Sequence, residues 1–147
     1  MANPTRIPFQ YRSSSNALQK AVGQAIIDGG LLVWDGVNRK PDHYPYVKIG
    51  EELTSERVPS KDSTGKYHNL TLHIWSDLTS TIETKAVADY LIDILVWSEI
   101  QLDDGFCVME QKLDHVKYIE ADNSTNNNQR AFLFLDFLVS DSLKAPI

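Results

Sequence analysis

Apolar residues recur at the spacing of an amphipathic helix near the start of the chain. Four of them lie on one helical face: Leu18, Val22, Ala25 and Ile26. Asn16 and Gln19 form a plausible capping pair at the start of this stretch, and Gly29–Gly30 is typical of a helix end. The pattern therefore predicts a first helix from Asn16 to about Asp28, with one apolar stripe.

A second helical stretch begins at the capping-box pattern Ser80–Glu83, in which a serine and a glutamate satisfy the free N–H groups of the first turn. The apolar positions that follow give it a broad apolar face: Ile82, Ala86, Tyr90, Leu91, Ile94, Leu95 and Trp97. We therefore predict a second helix that ends near Trp97.

Four further segments have the pattern of β-strands. Residues 67–75 alternate between apolar and polar, as in a strand with one buried face, and the apolar positions are Leu70, Leu72 and Ile74. The other predicted strands cover about 46–51, 106–120 and 130–139. The segment 31–34 fits either a short strand or an apolar loop.

The order of these elements is α-β-β-α-β-β. It predicts an α+β fold with a four-stranded, mostly antiparallel sheet and two helices packed on one face. Residues 1–14 contain two prolines and part of a serine run, and they predict an extended N-terminal arm. Residues 15–147 are then expected to form a single α+β domain.

The last predicted strand is apolar on both faces. Phe132, Phe134 and Leu138 alternate with Leu133, Leu135, Phe137 and Val139. Such a strand is buried on both sides, by its own helices and, we expect, by a neighbouring subunit. Of the three tryptophans, which by size favour core packing, Trp75 is the best candidate for an interface anchor. It lies off the Leu70–Leu72–Ile74 face, and aromatic residues are favoured at interfaces.

A long polar segment, 53–65, has little to bury. Loops of more than about 12 residues in compact domains are usually functional or disordered. The charged residues in and beside it are further candidate contacts with other proteins: Glu51, Glu52, Glu56, Arg57, Lys61, Asp62 and Lys66. They fit either a solvated loop or a loop that becomes ordered on docking to a partner.

The composition is that of an ordinary soluble domain of 147 residues, with a formal net charge of -6. This acidic balance argues against a surface that grips nucleic acid. The single cysteine, Cys107, excludes an intrachain disulfide. There is no apolar N-terminal region and no apolar run of about 20 residues, so we expect assembly in a cytoplasm and no membrane span.

The candidate catalytic residues do not form a pattern that predicts an enzyme. His68 and His73 lie on opposite faces of one predicted strand, so they cannot share a metal there. Ser13–Ser15 lack a nucleophile-elbow motif. The adjacent carboxylates of Glu51–Glu52 diverge on a strand, and Asp103–Asp104 precede a glycine in an ordinary turn. We expect no catalytic residue, no metal and no cofactor.

Four segments follow the order and spacing of one known family: LQKAV at 18–22, YPYVKIGE at 44–51, HNLTLHIWS at 68–76 and ETKAVAD at 83–89. Together they resemble the phage tail-completion, or tail-terminator, proteins, of the kind that joins long tails to heads. The resemblance covers most of 17–139. It departs in the N-terminal arm, at 31–43 and in the asparagine-rich 122–129.

The resemblance implies a structural virion protein and no enzymatic activity. Its subunits would form a homo-hexameric ring that caps the tail tube and joins it to the head–neck connector, at the head-proximal end of the tail. The expected partners are other copies of the chain, the tail tube protein and the connector protein. DNA would pass through the lumen without specific binding, and we expect part of the -6 charge to line that lumen.

Three other functions stay open from the sequence. A head-closure or neck ring would have the same general properties. A cytoplasmic α+β ligand-binding module would be a monomer or dimer with an enclosed pocket. A carboxylate-metal nuclease would lose its activity when Glu51 or Asp103 is changed.

Overall fold

The chain folds into one mixed sheet with two helices, seen in a computed structural model that describes residues 12–34, 36, 39–55, 65–76, 81–119 and 129–143. In chain order the elements are α1 (Ser14–Asp28), β1 (Leu32–Trp34), β2 (Tyr46–Ser55), β3 (Lys66–Trp75), α2 (Thr81–Leu95), β4 (Phe106–Ile119) and β5 (Arg130–Asp141). The strand order in the sheet is β1-β2-β3-β5-β4. The β1–β2 pair is parallel, and the other three pairs are antiparallel.

The predicted four-stranded sheet is therefore wrong: the sheet has five strands, it is mixed, and the element order is α-β-β-β-α-β-β. The additional strand is β1, whose three residues pair in parallel with Tyr46–Lys48. A segment this short is too brief to show a period of two, so its pairing partner and not its own pattern decides its structure. The ranges predicted for the last two strands agree closely with β4 and β5.

α1 begins two residues earlier than predicted. Ser13 is its N-cap, and the Ser13 hydroxyl accepts a hydrogen bond of 3.1 Å from the backbone N–H of Asn16. Asn16 was predicted as the cap but lies inside the helix, because the serine run supplies a hydroxyl at an earlier position. The predicted helix end at Asp28 is confirmed. The helix buries four residues against the sheet: Ala17, Leu18, Val22 and Ile26.

The predicted apolar face of α2 is only partly right. The residues buried by this helix are Thr84, Val87, Ala88, Leu91 and Leu95. Four residues of the predicted face are instead exposed, namely Ile82 (78%), Ala86, Tyr90 (41%) and Trp97 (79%). The helix carries apolar residues on two sides, so the spacing of apolar residues did not show which side packs against the sheet. Ser80 of the predicted capping box lies outside the described residues; Glu83 accepts a hydrogen bond of 2.5 Å from the Ser76 hydroxyl at the end of β3.

β3 and β5 lie at the centre of the sheet and supply most of the core. Burial alternates along β5, as expected for a strand whose two faces differ. The side facing the helices is fully or almost fully buried at Ala131, Leu133, Leu135, Phe137 and Val139. On β3 the matching residues are His68, Leu70, Leu72 and Ile74, so the predicted buried face of this strand is confirmed. No described helix has the length and apolar character needed to cross a membrane.

The chain is anchored at residue 12, just before α1. The Arg12 guanidinium donates two hydrogen bonds to the Asp141 carboxylate, at 2.9 and 3.1 Å, and it lies 4.4 Å from the ring centre of Phe106. These contacts join the start of α1 to the adjacent ends of β4 and β5. The predicted extended arm falls mostly on residues 1–11, which lie outside the described part.

Gly50 lies where the register between β2 and β3 shifts, between Ile49 and Glu52. A Cβ atom at this position would lie 2.6 Å from His73 Nε2 and 2.9 Å from the Thr71 carbonyl oxygen. We expect Gly50→Ala to lower the free energy of unfolding by about 1–3 kcal/mol, because the strand or the histidine must move. Chemical denaturation measures this loss.

Gly23→Ala is the matched control for this prediction. Gly23 lies inside α1, and a Cβ there would lie 3.5 Å from Ile49 Cδ1, an ordinary contact. Alanine in a helix interior is favoured over glycine by roughly 0.5–1 kcal/mol, so this variant should match or exceed the wild-type stability. Equal effects of the two substitutions would contradict the close approach at Gly50.

Candidate functional site on the helix-free face

The side of the sheet opposite α1 and α2, here called the helix-free face, is built from alternate residues of β2, β3, β5 and β4. Strand pairing arranges them in rows across the sheet. The first row contains Tyr46, Trp75 and Arg130. The second row contains Lys48, His73, Phe132 and Lys117, and the third contains Thr71, Phe134 and His115. The face is thus rich in aromatic and cationic side chains.

Aromatic rings contact one another at the Trp75 end of this face. The ring centres of Tyr46 and Trp75 are 6.3 Å apart and nearly parallel, and Trp34 and Tyr44 lie 6.4 and 5.5 Å from Tyr46. Further along, His115 stacks on Phe134 at 4.1 Å. Pairs in these arrangements stabilise their elements by about 0.5–1.5 kcal/mol beyond the area they bury. The result is a preformed aromatic surface on an ordered sheet.

Cations lie over several of these rings. The Arg130 guanidinium is 5.3 Å from the Trp75 ring centre, and the ammonium of Lys48 is 5.0 Å from that of Trp34. Lys40 lies 5.6 Å from the Tyr46 ring centre. Burial raises the pKa of Tyr46, although Lys40 opposes this shift through a hydrogen bond. Each cation–ring contact contributes on the order of 0.5–1 kcal/mol at exposed sites, and together they hold the cations on the face.

β4 forms one edge of the sheet. This 14-residue strand pairs with β5, and no other described strand pairs with its outer side. Its pairing shifts register twice, between Val108 and Glu110 and between Leu113 and His115. Large apolar side chains on it are exposed: Met109 (64%) and, on the side of the sheet that faces the helices, Leu113 (36%) and Tyr118 (40%). Half-buried aromatic residues beside an exposed edge strand are typical of a surface that contacts another protein.

Trp75 lies where the sequence placed it. It is on the helix-free face, away from Leu70, Leu72 and Ile74, and half-buried. Its indole Nε1 is buried and has no hydrogen-bond acceptor among the residues described. A tryptophan of this kind fits the interface anchor that the sequence predicted. Its role in an interface remains a prediction.

The structure describes three of the seven charged residues that the sequence predicted as contacts with other proteins: Glu51, Glu52 and Lys66. Glu51 and Glu52 diverge, as adjacent residues on a strand do: Glu51 accepts from His73 at 3.1 Å, whereas Glu52 lies 3.3 Å from the buried His68. Lys66 is half-buried at the start of β3. The other four candidates lie outside the described residues: Glu56, Arg57, Lys61 and Asp62. Glu52 contacts the buried His68, so it is a poorer candidate for a contact with another protein than the exposed Glu51.

A buried polar cluster at the start of α1 was not predicted. His68 is fully buried, with its Nε2 at 3.1 Å from the Ser14 hydroxyl and its Nδ1 at 3.5 Å from the Ser15 hydroxyl and 3.3 Å from Glu52 Oε1. The sequence carried a signal for it, because His68 has the same parity as Leu70 in the alternating strand. The prediction that His68 and His73 lie on opposite faces is confirmed. Because the His68 ring is fully buried and contacts the hydroxyls of Ser14 and Ser15, it helps to hold the start of α1 against the sheet.

The geometry of Glu52 sets its acidity. Burial raises its pKa, but hydrogen bonds from His68 and Ser15 and the nearby charges of His68 and Lys66 outweigh burial, so the pKa lies below its usual range. The pKa of Glu51 is also lowered, first by its own backbone N–H and then by His73. Both carboxylates are therefore held in their charged form, Glu52 in a partly buried position and Glu51 on the surface.

Two cavities lined by described residues are both open to solvent. One of about 450 Å³ lies between α1 and β1, beside Gly23, Trp34 and Arg39, and is open to solvent. Another of about 350 Å³ is an open groove beside Tyr67, Asn69 and Asp136 on the helix-free face. Among the described residues, no three His, Cys, Asp or Glu side chains are grouped closely enough to hold a metal ion.

Two solved structures share this fold. One is a chain of the virion of a native gene transfer agent particle, with a TM-score of 0.71 and 23% sequence identity, covering 87% of this chain and 98% of that chain. The other is the gp17 protein of bacteriophage SPP1, with a TM-score of 0.55 and 18% identity, covering 93% and 99%. At these identities the likeness establishes the fold. A search of curated protein sequences found no match.

A family model gives the stronger result. The model of the tail completion protein gp17 family matches residues 14–138, from the start of α1 to near the end of β5. All four segments that carried the resemblance in the sequence fall inside this range, so the resemblance is confirmed. The chain therefore belongs to the tail completion protein gp17 family, a family of bacteriophage tail structural proteins.

Proposed function

We propose that this chain is the subunit of a homo-hexameric ring that caps the tail tube at its head-proximal end and joins it to the head–neck connector. Its family supports a structural role in a phage tail. The observation that carries the ring is the helix-free face, because this half-buried aromatic surface lies on a sheet already covered on its other side by α1 and α2. Covering it requires another protein surface.

Ring closure explains how such a subunit stops a polymer. Tube subunits join through heterologous contacts, which have no natural end. A cap must match the last tube layer on one axial face and must not offer the tube surface on the other. A closed ring fixes the number of subunits and lets many weak contacts act together. The ring would assemble with the tube and the connector in the host cytoplasm.

The charged residues near the 53–65 segment are the proposed axial contacts. Glu51 is 75% exposed in its side chain and lies beside the segment, as does Lys66. Together with Glu56, Arg57, Lys61 and Asp62 they would meet the tube or the connector. DNA would pass through the lumen without specific binding. Since the helix-free face carries several cations, the acidic wall of that lumen is expected elsewhere on the subunit.

The mass of the purified chain tests the ring. We expect sedimentation over a wide concentration range, alone and with tail tube protein, to show a six-chain species, and electron microscopy to show it on tube ends. A chain that stays monomeric at every concentration and ignores tube ends would contradict the proposal. The purified ring should also bind the connector protein; a failure to do so would contradict its joining role.

The double variant Phe132→Ser/Phe134→Ser tests the contribution of the helix-free face. Both rings are half-buried in the subunit, so the monomer should still fold while the apparent affinity of assembly falls by at least about 100-fold, as for interface residues that each contribute 2 kcal/mol or more. Ile27→Ser is the matched control, because Ile27 is 54% exposed on α1 and should leave assembly unchanged. Circular dichroism confirms the fold of both variants.

A further inference from the structure

α2 presents a second apolar stripe to solvent, in addition to the one it buries. This outer stripe consists of the apolar residues Ile82, Ala86, Tyr90 and Trp97 and the acidic residues Asp89 and Asp93, which lie on one side of the helix and the turn that follows it. The Tyr90 hydroxyl also donates a hydrogen bond of 2.7 Å to the Gly29 carbonyl oxygen at the end of α1. Trp97 is 79% exposed, whereas tryptophans in soluble proteins are on average largely buried. A contiguous exposed stripe with a tryptophan is the composition of an interface hot spot.

The outer stripe is acidic. Asp89 and Asp93 lie within it, and Glu99 follows just after Trp97, all exposed. The one cation on the same stretch of helix, Lys85, lies at the margin, with its ammonium 5.8 Å from the Tyr118 ring centre of β4. A partner for this stripe must therefore offer apolar area together with positive charge.

The helix-free face has that composition. Its rows at the Trp75 end carry Lys48, Arg130 and Lys117 around Trp75 and Phe132. Two described carboxylates beside these rows lie against histidines: Glu51 at 3.1 Å from His73 and Asp114 at 3.2 Å from His115. The acidic residues of the face lie further along: Asp136 accepts from Asn69 at 2.6 Å, and Glu110 lies 3.7 Å from Lys112. The Trp75 end is thus aromatic and cationic.

We propose that the outer stripe of α2 packs on the Trp75 end of the helix-free face of a second copy of this chain. This inference rests on the ring proposed above and specifies its subunit contact. Trp97 would cover the neighbouring rings of Trp75 and Phe132, while Asp89 and Asp93 would meet Lys48 and Lys117. A contact between two outer stripes would place carboxylates against carboxylates, and a contact between two helix-free faces would place cations against cations. Both contacts are therefore disfavoured.

The two surfaces lie on opposite sides of one sheet, so the contact is heterologous. Each copy then uses its stripe on one neighbour and its face on the other, and the chain of contacts closes into a ring when the rotation per step allows it. An isologous dimer would use one surface twice and leave the other exposed. This difference makes the contact testable by charge reversal.

The experiment uses two full-length variants with opposite changes. The stripe variant is Asp89→Lys/Asp93→Lys, and the face variant is Lys48→Glu/Lys117→Glu. Each alone is expected to lose at least about 100-fold in apparent affinity of assembly, measured by sedimentation, because like charges then meet at the contact. A 1:1 mixture should recover the ring, since an alternating arrangement places reversed stripe on reversed face and wild-type stripe on wild-type face.

The control and the outcomes separate this inference from the ring itself. Asp42→Lys/Asp103→Lys makes the same charge change at exposed residues outside both surfaces and should assemble like wild type. If the wild-type chain forms rings and the single-surface variants form them equally well, or if the mixture fails to recover, the inferred contact is wrong while the ring stands. If only the face variant fails, the stripe takes no part in the contact and the inference is wrong. A wild-type chain that never assembles would overturn the ring and this contact together.

Discussion

Phe137→Ala is expected to lower the free energy of unfolding of the chain by about 3–5 kcal/mol, as large-to-small changes in a packed core do. Phe137 is fully buried on β5, between β3 and β4, where its pairing partners are His68 and Gln111. Removing the ring leaves a cavity beneath both helices that the surrounding strands cannot close. Urea denaturation followed by circular dichroism measures the loss.

Phe134→Ala is the matched control for Phe137→Ala. It changes the same residue type on the same strand, but Phe134 lies on the helix-free face and is only half-buried. In the monomer it should lose about 1–2 kcal/mol, since part of its ring is already in contact with water. The comparison must be made below the concentration at which the chain assembles, because assembly adds to the apparent stability. Equal losses would contradict the assignment of the two faces of β5.

His68→Leu is expected to destabilise the chain by about 2–4 kcal/mol, the second large effect. Leucine fits the apolar surroundings, yet it leaves the hydroxyls of Ser14 and Ser15 and the Glu52 carboxylate without the imidazole. Removing one partner of a buried polar cluster costs the desolvation of the groups that remain. The loss should be visible as an earlier urea midpoint with an unchanged slope.

His73→Leu is its control, because the two histidines lie on the same strand and each meets a glutamate. In the His73–Glu51 pair the Glu51 carboxylate is in contact with solvent, with a side chain that is 75% exposed, whereas the His73 side chain is 17% exposed. Exposed ion pairs contribute roughly 0–1 kcal/mol, so this variant should change stability by less than 1 kcal/mol. A loss as large as that of His68→Leu would show that burial does not distinguish the pairs.

The pH dependence of stability follows from the lowered pKa of Glu52. A carboxyl whose pKa is lower in the folded state than its usual value of 4.5 stabilises the fold above that value, and this contribution is lost as the pH falls through the folded pKa. Wild type should therefore lose stability on acidification below about pH 4.5. In His68→Leu the carboxyl loses one of its two hydrogen-bond donors, so this acid-dependent part should shrink. Unfolding curves at several pH values below 6 provide the check.

Most of the fold follows from alternation and helical periodicity. β3 was predicted with its buried face correctly assigned, because a long strand with one strongly apolar face shows the period of two. The range of β5 was predicted closely, but both of its faces are apolar, so the sequence did not show which of them meets the helices. β1 was left open, since three residues carry no period. The face of α2 was partly mistaken because Ile82, Tyr90 and Trp97 are apolar yet exposed. Periodicity identifies an apolar side of a helix, but it does not distinguish a core side from an assembly side.

The candidate site was predicted in outline only. The two apolar faces of β5 and the outward position of Trp75 pointed to the helix-free face. The cation–ring contacts could not be predicted, because Lys48 and Trp34 come together through the parallel pairing of β1 that the sequence did not reveal. The cluster around His68 likewise depends on the docking of α1, which brings Ser14 across to β3. Both depend on tertiary contacts between distant segments.

The two register shifts in β4 limit how further strands can add to this edge of the sheet. A regular edge of this length would be a template on which strands from further molecules add without limit. Each shift breaks the ladder and turns the strand, so only short stretches keep the geometry that an incoming strand needs. A protein whose family completes tails must not itself grow into a fibre, and the irregular border of its sheet helps to keep its own association finite.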